Sequence, residues 1–383
     1  MEEKGLSRHR VRQALKKARK DDWTFSGGEI LGSMCTAPHE AAAEAHALFL
    51  ETNLGDPGHF PGTAQLEKEA LTDLLQLFHA PTGAAGRFVA GGTEANILAC
   101  AIAREKTGKT KIVLSESAHF SFDKAARFLG MELVEVPCAA SGHADPKALA
   151  KAVTKDTALV VAVAGTTELG LVDPVEELAL WCGRNDVLLH VDAAYGGYIL
   201  PFMADASRKP VKFDFANPGV WSLCCDPHKG GMATIPAGVL LMRDGADWER
   251  MAVPSPYVST ETQSTIMGTR PGGPVAATWA VHRFLGREGL ASVAETCLDN
   301  AAYLAAQLPE MGVELVASPE LAVVTFRAGS GPEAARRLIA RLSERGFRLN
   351  HVPRYKALRV VCNPHVTRER IDRFLKALKD SLA

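Results

Sequence analysis

The chain has 383 residues, 47% of them hydrophobic and 23% charged, so it can bury a sizeable core and is neither a disordered nor a fibrous sequence. Its 43 Lys and Arg are offset by 44 Asp and Glu, which leaves no general positive field to hold a nucleic-acid backbone. No apolar run approaches the roughly 18 residues of a membrane span, the N-terminus lacks the apolar core of a signal peptide, and the eight Cys show neither CxxC pairs nor Cys/His ligand spacing. A cytoplasmic protein without nucleic-acid, membrane or metal partners is expected.

In chain order, the first twenty residues carry eight basic and two acidic side chains, with Leu6, Val11, Ala14, Leu15 and Ala18 at near-helical spacing. They predict a short amphipathic helix packed on the rest of the protein or on a second subunit, the alternative being an element that docks on a partner or an anionic surface. From about residue 85 short apolar runs alternate with longer helical stretches: RFVAG (87–91), KIVLSE (111–116), LVEVP (133–137), ALVVAVA (158–164), VLLHVDA (187–193), WSLCCD (221–226) and GVLLMR (238–243). These seven runs, apolar on both faces and joined mostly by helix-length segments, predict a largely parallel buried sheet covered by helices, an α/β fold. Beyond about residue 275 a long helical stretch leads to VELVAS, LAVVTFRA and ALRVVCNP, with helices near 332–345 and 367–382. The expected division is an N-terminal helical segment (1–50), a large domain (51–275) and a smaller C-terminal α+β domain (276–383).

Ligands of parallel sheets bind beyond the carboxyl ends of the strands, and three polar clusters follow expected strands: GGTEAN (91–96), VDAAYGG (191–197) and DPHKGG (226–231). A glycine pair before Thr93 at a strand-to-helix turn offers free N–H groups and a hydroxyl to a phosphate, although an ordinary tight turn reads the same way. Asp192 ends an apolar strand, where a carboxylate needs a cationic partner, N–H donors or a capping role. Lys229 follows a later strand, before two glycines that leave space at its tip. If desolvated beside other cations it would have a lowered pKa and act as a nucleophile. Taken singly each cluster is unspecific. Together, a phosphate cradle, a carboxylate and a lysine in that order meet the three needs of pyridoxal 5'-phosphate: phosphate grip, pyridinium partner and Schiff base.

On GGTEAN, AHFSFDKA, GTTELG, HVDAAYGG and DPHK the sequence resembles the group II pyridoxal-phosphate-dependent decarboxylases. On GSMCT (32–36), ETNLGDPG (51–58), IPAG (235–238), GTR (268–270) and FLGREG (284–289) it is similar to their archaeal L-tyrosine/L-aspartate decarboxylase branch. The likeness runs from about residue 27 to the C-terminus. It implies the fold type I of pyridoxal-phosphate enzymes, a homodimer, and decarboxylation of L-tyrosine to tyramine or L-aspartate to β-alanine, steps that feed methanofuran and coenzyme A synthesis in archaea. Carried over residue by residue, it makes Lys229 the Schiff-base lysine, Asp192 the partner of the pyridine nitrogen and His119 the imidazole stacked on the ring. Gly92 and Thr93 would hold the phosphate with His228 nearby, and Thr167 would lie near the phenolic oxygen or the substrate carboxylate.

A mobile acid must then protonate the α carbon. The resemblance makes Tyr257 the expected acid, since related decarboxylases place a loop tyrosine in the stretch matching VPSPYVSTETQ (253–263), from its own chain or across a dimer; the alternative is a tyrosine packing a surface loop. Arg270, in GTRPGG, is either a grip on phosphate or carboxylate or a structural tie between the domains, and Arg359, in ALRVVCNP, faces the substrate carboxylate or supports its sheet. The runner-up activity is that of a sphingosine-1-phosphate-lyase-like carbon–carbon lyase, because GTRPGG is similar to a glycine-rich segment of that group. Aminotransfer is a weaker third.

Overall fold

The computed structural model describes residues 3–205, 208–327, 329 and 331–382. Three helices precede the main sheet: α1 (Arg8–Arg19), α2 (Glu40–Leu48) and α3 (Pro61–Leu77). α1 starts where Ser7 Oγ accepts the backbone N–H of Arg10 at 3.4 Å. No residue of α1 is buried and Leu15 is 65% exposed, so the apolar stripe expected to pack on the rest of the protein does not do so within this chain.

All seven apolar runs form strands, and α-helices alternate with them as far as β5: β1 (Ala85–Val89), α4 (Gly92–Thr107), β2 (Lys111–Ser115), α5 (Ser121–Leu129), β3 (Glu132–Val136), α6 (Pro146–Ala152), β4 (Thr157–Val163), α7 (Val175–Arg184), β5 (Leu189–Asp192), β6 (Val220–Cys225) and β7 (Gly238–Met242). Their order in the sheet is β1-β7-β6-β5-β4-β2-β3. Every residue of β4, β6 and β7 is buried, as two-faced coverage by helices demands. At one edge β3 keeps Glu132 and Glu135 exposed, charges that discourage further pairing. Only β7 runs against its neighbours: it is antiparallel to both β1 and β6, and the remaining pairs are parallel. β1, β2, β4, β5 and β6 therefore all end on the same side.

After β7 the chain forms a two-stranded ribbon, β8 (Val253–Pro254) and β9 (Thr262–Gln263), and then α8 (Gly273–Glu310). α8 breaks at Gly286, inside FLGREG, where φ is +58°, a region glycine enters at little cost. A second, antiparallel sheet follows, built from β10 (Glu314–Leu315), β11 (Val323–Arg327), β12 (Asn350–Val352) and β13 (Ala357–Val361) in the order β10-β11-β13-β12, with α9 (Pro332–Glu344) and α10 (Arg368–Leu382). VELVAS contributes only two strand residues, and β12 is an addition. The GSMCT segment is fastened to this sheet: Asn363 Nδ2 donates to the carbonyls of Ser33 and Cys35 at 2.9 and 3.0 Å, and Val361 N–H donates to that of Leu31 at 2.7 Å.

Candidate active site

Because five strands end on one side, the segments that follow them meet. Gly91–Thr93 follow β1, His119 follows β2, Gly165 and Thr167 follow β4, Asp192 closes β5 and Asp226–Lys229 follow β6. They line a single cavity of ≈ 270 Å³ together with Asn96, Phe120 and Tyr195. Seven of the eight site residues expected from the sequence, Gly92, Thr93, His119, Thr167, Asp192, His228 and Lys229, lie on its wall. Tyr257 does not.

One end of the cavity is the N-terminus of α4. Gly91 has φ +115° and the helix carries no side-chain cap bond there, so the first-turn N–H groups face the cavity with their share of the helix dipole. Glu94, in the same turn, reaches back to the N–H of Ala90 at 2.7 Å and fixes the entry of the helix. A Cβ on Gly92 would meet Ala194 Cβ at 3.0 Å and Asp226 Oδ2 at 3.1 Å, and one on Gly91 would meet His228 Cε1 at 3.2 Å. Bare backbone is required here, as for an anion that must come close.

Lys229 Nζ lies 3.0 Å from Asp226 Oδ2. The condition under which its pKa would fall, other cations beside it, is not met, because its charged neighbours are carboxylates. Burial favours the neutral amine, but Asp226 and Asp192 outweigh it and hold the ammonium form above the ordinary lysine value. Burial keeps His228 below the ordinary histidine value despite Asp226, so it adds no positive charge beside Lys229. The glycines after Lys229 also have another purpose than space at its tip. A Cβ on Gly231 would lie 2.8 Å from Cε1 and Cζ of Tyr198, so the pair lets that ring pack under the lysine turn. Asp226 Oδ1 and Tyr195 Oη are buried without a partner among the described residues, polar atoms that a ligand could satisfy.

Asp192 lines the same cavity. Its Oδ1 accepts the Ala194 N–H at 3.0 Å and its Oδ2 the Asn96 side-chain amide at 2.8 Å, so each oxygen keeps a lone pair for a donor in the cavity. Burial alone would raise its pKa, but Lys229, His119 and these two donors prevail and hold the carboxyl below the ordinary aspartate value. Burial keeps the His119 imidazole below the ordinary histidine value. Its Nδ1 accepts the Ser121 N–H at 3.2 Å, which leaves the proton of the neutral ring on Nε2.

The sequence reading named neither Asn96 nor His190, which connect to Asp192 from behind. His190 Nε2 lies 3.0 Å from Asn96 Oδ1 and Nδ1 lies 2.8 Å from Ser222 Oγ. Burial pushes this imidazole down to about 4. A folded-state value below the ordinary 6.5 contributes stability that is complete above about pH 6.5 and lost as pH falls through about 4. Chemical denaturation is therefore expected to show an acid loss between about pH 7 and pH 4 that exceeds the loss in His190→Gln by roughly 2–3 kcal/mol. Equal losses would contradict a buried neutral His190.

Tyr257 is 89% exposed, on the loop between β8 and β9. That loop docks on ETNLGDPG, where Gly58 N–H donates to Ser259 Oγ at 2.7 Å and Ser259 N–H to Asp56 Oδ1 at 3.0 Å. Within its own chain, then, Tyr257 does not reach the cavity wall. Arg270 is not the tie between domains that the alternative expected: Nη1 lies 2.5 Å from Glu67 Oε1 and Nη2 donates to the Leu54 carbonyl at 2.8 Å, both partners within residues 51–275. Arg359 uses Nη1 on the Thr167 carbonyl and Nη2 on that of Gly32, the latter at 2.8 Å. It thereby joins the small sheet and the GSMCT segment to the cavity wall.

A doubly covered sheet with one antiparallel strand, a small C-terminal sheet and a lysine-bearing cavity at the strand ends define the fold type I class of pyridoxal-phosphate enzymes. The residues fit that cofactor: an uncapped helix N-terminus with bare glycines, a carboxylate with a lone pair to offer and an amine all line one cavity. Residues 41–329 match the Pyridoxal-dependent decarboxylase conserved domain, and the chain belongs to this family. A protein of Methanothermobacter thermautotrophicus named "Probable L-tyrosine/L-aspartate decarboxylase" is 43% identical, covering 93% of this chain and 98% of that one. One of Methanocella arvoryzae with the same name is 41% identical, covering 99% of both. Among solved structures, a sphingosine-1-phosphate lyase of Burkholderia pseudomallei superimposes with a TM-score of 0.90 at 28% identity over 100% of this chain and 91% of that one. A Lactobacillus brevis glutamate decarboxylase gives 0.90 at 20% identity, over 100% and 93%. The domain match and the 41–43% identity to the archaeal relatives, against 28% to the lyase, favour a pyridoxal-phosphate-dependent carboxy-lyase over the carbon–carbon lyase.

Proposed function

We propose that the protein removes the α-carboxylate of an L-amino acid, with L-tyrosine and L-aspartate, the substrates in the names of its relatives, as the first candidates. The observation that carries this reading is the meeting of Lys229, Asp192 and the open N-terminus of α4 around one cavity. Pyridoxal phosphate, when bound, supplies an electron-accepting ring that takes up the electron pair left as carbon dioxide departs. Lys229 is the amine that carries it. Gly92 and Thr93 grip the phosphate with His228 beside them, and Asp192, kept ionised by its neighbours, pairs with the ring nitrogen. His119 covers the ring face with its Nε2–H available as a proton donor, and Thr167 bounds the side where the phenolic oxygen or substrate carboxylate lies.

Tyr257 is assigned as the acid that delivers a proton to the α carbon, acting from the second subunit of a homodimer. Its exposure on a docked loop, away from the cavity of its own chain, supports action across an interface. Tyr257→Phe should lower amine yield by about 10²-fold and raise the share of oxidative side product; unchanged values for both would remove the assignment. A cytoplasmic location accords with a reaction on free amino acids. The test of the whole reading is mass spectrometry of products from cofactor-loaded protein given an equimolar mixture of the common L-amino acids. Tyramine or β-alanine with carbon dioxide is expected. No amine from that mixture, with an aldehyde released when a phosphorylated long-chain amino alcohol is supplied instead, would overturn it.

A further inference from the structure

Asp192 is held from behind by a buried chain of polar side chains drawn from four elements. Asn96 on α4 donates from Nδ2 to Asp192 Oδ2 and to Ser121 Oγ, both at 2.8 Å, and its Oδ1 faces His190 Nε2 on β5 at 3.0 Å. His190 Nδ1 in turn lies 2.8 Å from Ser222 Oγ on β6. Asn96, His190 and Ser222 are each 1% exposed or less, so no bulk water stands in for a missing partner. The directions of these bonds are forced. An ionised carboxylate offers only acceptors, so Asn96 must present its amide nitrogen to Asp192 and its oxygen to His190. That oxygen needs a donor, so the neutral ring carries its proton on Nε2, and the acceptor left at Nδ1 takes the Ser222 hydroxyl proton. Donors run in one sense, from Ser222 to His190 to Asn96 to Asp192. The Cys224 thiol lies on the same cluster, 3.3 Å from Asn96 Oδ1 and 3.5 Å from Asp192 Oδ1, a weak donor at either.

We propose that Asn96 is a positioning residue that fixes the carboxylate plane of Asp192 toward the cavity, and that His190 and Ser222 hold it in the one amide orientation able to do so. This rests on the reading of Asp192 as partner of the cofactor's ring nitrogen. With the Ala194 N–H on one oxygen and Asn96 on the other, rotation of the carboxylate would break a bond at each end, and a rotated amide would set Asn96 Oδ1 against a carboxylate oxygen. Asn96 thus determines how well the site distinguishes a ring that has a basic nitrogen from one that lacks it.

The test uses apo-protein titrated with pyridoxal phosphate and with its 1-deaza analogue, which has carbon in place of the ring nitrogen, read by protein fluorescence. Wild type should prefer the natural cofactor. Asn96→Leu, similar in size, should lose about tenfold of that preference while its affinity for the deaza analogue stays unchanged. Ser222→Ala, which leaves Asn96 in place, should lose about threefold, and its ratio decides the matter if Asn96→Leu does not fold. Wild-type preference in both variants, or equal weakening toward both ligands, would overturn the proposal, the latter because a purely structural role lowers both alike. Asp192→Asn serves as the reference. If it too keeps the wild-type preference, the reading of Asp192 itself fails.

Discussion

Lys229→Ala is expected to reduce amine formation by at least about 10²–10⁴-fold, the scale on which a positioned nucleophile or proton-transfer group contributes. Its position follows from the fold. β6 is buried along its whole length, so the first polar residues after it emerge at the carboxyl edge of the sheet, and the close turn over Tyr198 sets the amine 3.0 Å from Asp226. The same variant should destabilise the apo-protein by about 3 kcal/mol near pH 7, because two buried carboxylates lose the cation that compensates them. The sign of its pH dependence can be worked out from Asp192. That carboxyl is held below its ordinary value with Lys229 first among the charges that lower it, so it contributes stability above the ordinary aspartate range that is lost on acidification. Without Lys229 this contribution shrinks, and the deficit against wild type should be largest at neutral pH and narrow through the carboxylate range. Thermal denaturation of both apo-proteins at the two pH extremes, beside an amine assay, checks both parts. Near-wild-type amine formation would eliminate Lys229 as the reactive lysine.

The seven strands of the sheet were legible because strands buried on both faces must be apolar at successive residues, and the polar segments after them were legible because a parallel sheet exposes those ends. Strand order was not, since nothing in GVLLMR marks β7 as the strand that runs against its neighbours. α3 went unremarked because only Thr63, Ala70 and Leu74 of its seventeen residues are fully buried, which leaves a faint apolar stripe. Asn96 was visible within GGTEAN but not singled out: its contacts come from segments 25, 94 and 96 residues away, a distance over which spacing carries no signal. His190, inside an apolar run, could have been flagged on one physical ground, that a polar ring in a two-faced strand must have partners. Arg270 was undecidable for the same reason as Asn96, its carboxylate partner Glu67 lying 203 residues earlier.

Asp192→Asn should lower kcat by about 10²–10³-fold, the scale of removing one preorganised electrostatic partner from a reacting group, with a much smaller change in KM, since in the proposed role the residue pairs with the cofactor rather than with the entering amino acid. Asparagine keeps the shape, so the loss reports charge. Because the wild-type carboxyl lies below its ordinary range, it stays ionised across the neutral region, and the ratio of wild-type to variant kcat should be constant between about pH 6 and pH 8. A ratio that collapses toward one in mildly acidic medium would mean that Asp192 takes up a proton there, and that the donors around it do not hold it ionised. The substitution also alters the chain of donors behind it. An amide can turn its nitrogen toward Asn96, where two donors would then meet, or turn its oxygen there and point its nitrogen at Ala194 N–H. Either way one buried donor loses its acceptor, at a cost of about 1–3 kcal/mol. Asp192→Asn should therefore lose stability as well as rate, whereas a surface carboxylate would show neither. The joint loss separates an aspartate anchored for catalysis from one that merely lines a cavity.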